Sequence, residues 1–298
     1  MNLSLLSDAP SAIEARSKKT ETRHCSKGPI LFAADYSDPE SFPVRYVTEL
    51  ARALETWVLL EPVPDPTAYQ FASSTVTTAP DAIEQDEMLS LIASLTDEHH
   101  PSMIVIASVR NSEESREALA SLGRKISFKA STPVLLVGSP DERALRTAGH
   151  WHTVLAAVDF TPPSLAALLH AHSIAAGELI VLHCMPSKNE LKAQHWQEHL
   201  RMLAPFNESH TVPVQHLVQA GDVVEAILSA VRQTQADLVV LGSPTLHRQH
   251  VRDADSVVCG VVSRVRCPVL LMPPRRCSTC ERRHPQRDTT SSCAGCGM

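Results

Sequence analysis

The residues whose type and spacing point most directly to chemistry lie near the end of the chain. CSTCERRHPQRDTTSSCAGCGM contains Cys277, Cys280, Cys293 and Cys296, two C-x2-C pairs separated by 12 residues. Two such pairs present four sulfurs that a short loop can fold around one tetrahedral ion, the arrangement of a zinc ribbon. The spacer is slightly shorter than the commonest ribbon spacing and holds no apolar residue, so the metal would have to supply most of the order of this tail. With every coordination position filled by protein, such a zinc site is structural and leaves no water for hydrolysis. Three other readings stay open. A sulfur-only tetrahedron also accepts iron, the pairs could cycle as dithiols in a redox carrier, and His284 could replace one cysteine. Four uninvolved thiols in a disordered tail are the plain alternative. Cys184, Cys259 and Cys267 fall in strand or helix patterns and read as small core residues.

A second candidate is GSPTLHRQHVRDADS, residues 242–256, between the apolar run ADLVVL and a Val-rich helical stretch. A strand, a glycine-opened turn and a helix start form an arrangement suited to anions, because free backbone N–H groups at a helix N-terminus attract them. After Gly242 the loop has no further glycine. Asp253 or Asp255 at the helix start would accept the N–H groups that a phosphate would use, and a fixed carboxylate repels a polyphosphate. Arg248 and Arg252 partly offset that loss. No G-x-S-x-G elbow, H-E-x-x-H helix or complete G-x-x-x-x-G-K-[ST] loop occurs, which weakens hydrolase and ATPase readings. Of the 15 histidines, His99, His100, His150, His152, His247 and His250 fall in expected loops or linker and read as surface residues.

These residues must be positioned by a unit that is written twice. ILFAADYSDPES from Ile30 resembles VLAAVDFTPPS from Val154, with Asp35 and Asp159 in register. SMIVIAS ending at Ser108 matches ADLVVLGS ending at Ser243, and TPVLLVGSP from Thr132 matches CPVLLMPP from Cys267. The first pair is offset by 124 residues and the later pairs by 135, so the second copy is 11 residues longer in its middle. Short Val/Leu/Ile runs predict strands over 154–159, 178–184, 213–218, 237–242 and 268–272, with helices over 163–174, 188–204, 222–233 and 255–264. The first helix carries the stripe Leu165, Leu168, Leu169 and Ile174. In the first copy strands are predicted over 30–35, 56–61, 103–107 and 133–138. Its third strand is not evident, and the Pro/Ser/Thr-rich stretch 61–81 reads as loop.

Strands alternating with helices imply an α/β fold with an open parallel sheet and right-handed crossovers, here in two tandem domains of which the first is trimmed. The expected organisation is a disordered arm over 1–28, domain 1 over 29–138, a charged linker over 139–153, domain 2 over 154–274 and the cysteine tail over 275–298. The net charge of −6 divides unevenly: residues 1–28 and 275–298 together carry +5 and the body −11. So acidic a body repels nucleic acid, and only the basic tails could meet an anionic partner. No apolar run is long enough to span a membrane, and the charges of the first residues follow a weak apolar patch, unlike a signal peptide. The expectation is a cytoplasmic protein with no nucleic-acid or membrane partner.

VLAAVDFTPPSLAAL, VQAGDVVEAI, and DLVVLGS followed by PVLLM together resemble the universal stress protein family in its tandem form, strongly in the second half and more loosely in the first. The resemblance implies an open α/β fold, a pocket that binds ATP or AMP or stays empty, and pairing of domains through their last strands. A tandem chain would then pair domain 1 with domain 2 intramolecularly as a pseudo-dimer, with room for a homodimer and for a protein partner at the tail. By this resemblance Asp159 and Asp35 contact adenine or ribose, Gly221 lies near the ribose, and Gly242, Ser243 and Ser256 fall in the phosphate motif. Binding members of the family carry G-x-x-G, nine residues, then G-S or G-T. The corresponding positions here are Gly242, Thr245, Asp255 and Ser256, and in the first half Ala107, Arg110, Ala120 and Ser121. Most glycines are gone. In the first half Glu113, Glu114 and Glu117 lie where phosphates would, with Ser112 and Ser115 as helix-start residues and Leu119, Leu122 and Ile126 as a buried stripe.

Read from the residues alone, Asp159 equally bonds N–H groups of its own turn, and Gly221 is a tight-turn residue. The function expected is a non-enzymatic stress-response or regulatory role with weak or lost nucleotide binding and a structural zinc tail. The alternatives are an ATP-binding switch using domain 2 only, and a redox or iron-binding protein acting through the tail.

Overall fold

The structure is a computed structural model that describes residues 28–34, 41–62, 80–108, 112–130, 132–138, 141–186, 190–203, 212–243 and 257–273. The arm expected over 1–28, apart from Gly28, and the cysteine tail lie outside the described residues, as does most of the stretch read as loop over 61–81. The first half supplies β1 (Ile30–Ala34), α1 (Phe42–Ala53), β2 (Val58–Pro62), α2 (Pro80–His99), β3 (Met103–Ala107), α3 (Glu113–Lys129) and β4 (Val134–Val137). A short helix, α4 (Glu142–Arg146), leads into the second half. There follow β5 (Thr153–Ala157), α5 (Pro162–Ile174), β6 (Glu178–Met185), α6 (Glu190–Leu203), β7 (Val214–Ala220), α7 (Val223–Thr234), β8 (Leu238–Gly242), α8 (Val257–Val262) and β9 (Val269–Met272).

The strands form one nine-stranded sheet in the order β2-β1-β3-β4-β9-β8-β5-β6-β7. The fold is α/β with a mostly parallel sheet. Every pairing is parallel except that of β4 with β9, where Val134 faces Leu271, Leu135 faces Leu270 and Leu136 faces Val269. The second half therefore contributes the order 7-6-5-8-9 and the first half 2-1-3-4. Among the described residues the first half has no counterpart of β7, so β2 ends the sheet on that side.

Both faces of the sheet are covered, which is why its strands are continuously apolar. Leu31, Ile104, Leu136, Ile180 and Val239 point into a core shared with α2, α3, α7 and α8. Their neighbours Ile30, Val105, Leu135, Val181 and Val240 point into a second core shared with α1, α4, α5 and α6. Helix starts follow local chemistry. The side chain of Ser112 caps α3 by accepting Ser115 N–H at 3.1 Å, and Asp222 caps α7 by accepting Glu225 N–H at 2.9 Å. Helix α5 starts on Thr161-Pro162-Pro163, where the missing N–H of proline costs nothing.

Two expectations need correction. The apolar stripe of α5 does not include Leu169, which is 48% exposed; Ala166, Ala167, Leu168 and Ala171 carry the burial instead. Small alanines let the helix lie close to the sheet, so the buried arc is defined by backbone proximity more than by bulk. The stretch 139–153, expected as a charged linker, is structured over its described part. Ala144, Leu145, Ala148 and Trp151 are buried in the second core, and Arg143 fastens α4 to the second half. Its guanidinium donates to Asp237 Oδ1 from Nε at 3.1 Å and Nη2 at 2.9 Å, and to Gln235 Oε1 at 2.9 Å. The other carboxylate oxygen, Asp237 Oδ2, accepts the backbone N–H groups of His152 at 3.1 Å and Thr153 at 3.0 Å. One buried carboxylate thus fixes the point at which the chain enters β5.

Replacing Asp237 with alanine strands two backbone N–H groups and one guanidinium. Asp237→Ala is expected to lower the unfolding free energy by roughly 2–4 kcal/mol, and Arg143→Ala by less because that guanidinium is partly solvated. Urea denaturation of the two variants checks the order.

Candidate functional site

The strand order turns at β5. From β5 the chain moves outward through β6 to β7, then returns to β8 on the other side of β5 and continues to β9. In open α/β sheets a crevice opens outside the carboxyl ends of the strands at such a reversal. The residues that border it are those following β5, β6, β7 and β8, and most of the expected site residues are among them.

Asp159 is exposed at the end of β5, and its Oδ1 accepts Thr161 N–H at 3.0 Å and the Thr161 hydroxyl at 2.5 Å. One carboxylate oxygen therefore closes the β5–α5 turn. Ser164 braces the same turn, its hydroxyl donating to Thr161 O at 3.0 Å and accepting Asp159 N–H at 3.3 Å. Between them Phe160 takes a left-handed backbone at φ +62°, a sparsely populated conformation for an aromatic residue.

Gly242 ends β8 directly against this turn. A Cβ placed there would lie 2.6 Å from Ser164 N and 2.7 Å from the carbonyl carbon of Pro163. The glycine is therefore required by the approach of the α5 backbone, whether or not a ligand is near. Ser243 follows with its N–H donated to Met272 O at 2.7 Å; its hydroxyl is buried and has no hydrogen-bond partner among the described residues. Gly221, after β7, donates its N–H to Met185 O at 2.9 Å and holds φ +122° with open space where a Cβ would be. Ser256, Thr245, Asp253, Asp255, Arg248 and Arg252 lie outside the described residues.

Cys184, near the end of β6, is half-buried against the first core. Burial, with the Asp222 carboxylate adding to it, pushes its thiol up to about 11. Burial raises Cys267 to about 12. Both therefore stay protonated near neutral pH and are poor nucleophiles. Among the described residues no group of three or more His, Cys, Asp or Glu stands together that could hold a metal ion. Cys277, Cys280, Cys293 and Cys296 fall outside that set.

The corresponding positions of the first half are helical. With Ser108 in register with Ser243, residues 113–121 correspond to 248–256. Here those residues are the opening turns of α3, begun by the Ser112 cap. Ala120 and Ser121 are buried inside the helix. The Ser115 N–H is taken by the Ser112 side chain and the Arg116 N–H by the Ser112 carbonyl, and N–H groups further along α3 are spent on carbonyls one turn back. Arg116 of α3 reaches across to α8, donating to Ser263 O at 3.1 Å.

The sequence reading missed an aromatic group beside the crevice. Phe160 packs on Trp196 of α6, ring centres 4.9 Å apart and nearly parallel at 28°, and on His183 of β6 at 4.8 Å. His183 holds its place through Nδ1, 2.8 Å from Val158 O. His195 and His199 flank Trp196 on α6. The available signal was the H-W-x-x-H spacing in QHWQEHL, which puts both histidines on one helical face.

Residues 150–273 match the family model described as the universal stress protein family. The chain thus carries a universal stress protein family domain in its second half. Among solved structures it is similar to a protein assigned to the universal stress type from Pseudomonas aeruginosa UCBPP-PA14, at 16% identity and a TM-score of 0.55, over 84% of this chain and 94% of that one. It is likewise similar to a functionally unknown protein from Pseudomonas aeruginosa PAO1, at 17% identity and a TM-score of 0.54, over 84% and 93%. A universal stress protein solved in complex with cAMP aligns over 42% of this chain and 98% of its own, at 21% identity and a TM-score of 0.35. None of the curated proteins matches. The two Pseudomonas aeruginosa likenesses agree with the fold. No helix among the described residues is long and apolar enough to cross a membrane.

Gly242→Ala is expected to cost about 1–3 kcal/mol with no nucleotide present, because the α5 backbone must move. Thermal denaturation of the nucleotide-free protein checks this, and an unchanged midpoint would show that the turn accommodates the added methyl group.

Proposed function

We propose that this chain is a non-catalytic regulatory protein of the universal stress type in which any nucleotide is bound weakly and only by the second half. The first half serves as a built-in pairing partner, standing to the second as one protomer of a dimer stands to the other. The observation that carries this reading is the helix that the first half forms over the positions of the phosphate motif. In the first half α3 fills the place of a phosphate loop, whereas beside the β5–β8 crevice the buried Ser243 hydroxyl lacks a partner among the described residues.

Asp159 and Gly221 would border the base and ribose, and Ser243 with Ser256 the phosphates. The loss of glycine at positions 245 and 255, with an acid at Asp255, argues for weak affinity, since fewer free N–H groups and a like charge meet the phosphates. An ATP-dependent switch confined to the second half would use the same residues and differ in affinity. In the same reading the tail cysteines hold one structural zinc and offer a partner a small ordered surface. The chain works without membrane or nucleic acid, in the cytoplasm, and the body's negative charge suits that role.

Two measurements on the purified full chain decide it. Protein denatured and analysed for released nucleotide is expected to yield well under one equivalent, and stoichiometric ATP would overturn weak binding. Elemental analysis is expected to find one zinc per chain, lost when Cys280 and Cys293 are both replaced by serine. Bound iron with visible absorption would instead assign the tail to electron transfer.

A further inference from the structure

The aromatic group beside the crevice carries two imidazoles that neither the crevice nor the tail uses. His195 and His199 lie one helical turn apart on α6, and side chains at that spacing stand one above the other. Their ring centres are 4.6 Å apart, with planes at 65°. Two nitrogens bound to one tetrahedral ion at ordinary metal–nitrogen lengths lie about 3.3 Å apart. Rings whose centres are separated by 4.6 Å can present nitrogens at that span with only small side-chain rotations.

We propose that His195 and His199 form a binding site for one late first-row divalent cation of the zinc, nickel or copper class, with water in the remaining positions. Imidazole is the ligand type that suits these ions. The pair is also partly preorganised. His199 is half-buried, with its ring 5.6 Å from that of Trp196 and set edge-on to Phe160 at 6.5 Å. His195 is exposed and packs on Trp196 at 5.8 Å, so one ligand is restrained while the other stays open to an arriving ion. Trp196 in turn rests on Phe160, the residue next to Asp159, which joins the cation site to the mouth of the β5–β8 crevice through one aromatic contact. Edge-to-face packing of two imidazoles without a metal would give the same ring positions, so the test must read the ion itself.

Trp196 supplies the readout, since of the three tryptophans it is the one in contact with both rings. The probe is Ni²⁺, which quenches indole fluorescence at close range, added to the full chain with its four tail cysteines replaced by serine so that they do not compete. A saturable quench reversed by EDTA is expected, with one equivalent bound by calorimetry. H195Q/H199Q should lose both the quench and that equivalent while keeping the far-ultraviolet circular dichroism of the parent. W196F should lose most of the quench and keep the equivalent. Because an imidazole must shed its proton to ligate, binding should weaken as the pH is lowered. A parent chain with no saturable quench, or an H195Q/H199Q chain that quenches and binds as the parent does, would overturn the site. Neither result depends on whether the crevice binds nucleotide.

Discussion

The antiparallel pairing of β4 with β9 is the constraint on which the remaining architecture rests. Each half is an open parallel sheet whose last strand would otherwise present unpaired N–H and C=O groups along a fully apolar edge. Val134, Leu135, Leu136, Leu270 and Leu271 are buried at the seam, and each edge satisfies the other. The seam also brings α3 beside α8, where Arg116 of one half bonds the carbonyl of Ser263 at the carboxyl end of the other's helix. A cation in that position is favoured by the helix dipole.

The same pairing fixes where ligands could go. Because β4 runs against β9, all strands of the first half run opposite to those of the second, and their carboxyl ends lie at opposite ends of the sheet. No single ligand can be shared between the halves, so each turn must stand on its own chemistry. In the first half the Ser112 cap starts α3 and takes the N–H groups of Ser115 and Arg116. In the second, the corner is built from a close contact between Gly242 and the α5 backbone, braced by Asp159, Thr161 and Ser164. Two residues that resemble parts of a nucleotide site, Gly242 and Asp159, therefore have structural work there already. Ser243 and Gly221 are the positions with capacity left over: one has a buried hydroxyl without a described partner, the other open space at positive φ.

Much of this was legible in the chain. The nine described strands and the helices of the second half lie close to where periodicity placed them, because burial on both sheet faces imposes long Val/Leu/Ile runs. Ser112 announced its helix through the local competition of a side-chain oxygen for free N–H groups, which needs no distant partner. The turn role of Asp159 follows from bonding two residues along the chain. TPVLLVGSP and CPVLLMPP resemble each other because both β4 and β9 are buried inside the sheet.

What the sequence by itself determined was whatever acts within a few residues: strand identity, the helices of the second half, the Ser112 cap and the Asp159 turn. Only the tertiary structure decided the rest. The role of Asp237 depends on Arg143 and the N–H groups of His152 and Thr153, more than 80 positions earlier in the chain. The exposure of Leu169 depends on how closely an alanine face settles on β8. The grouping of Phe160, His183, Trp196 and His199 depends on three elements meeting at one corner. Contacts of this kind leave no period in a single sequence, since their energy comes from groups brought together only when the sheet has formed.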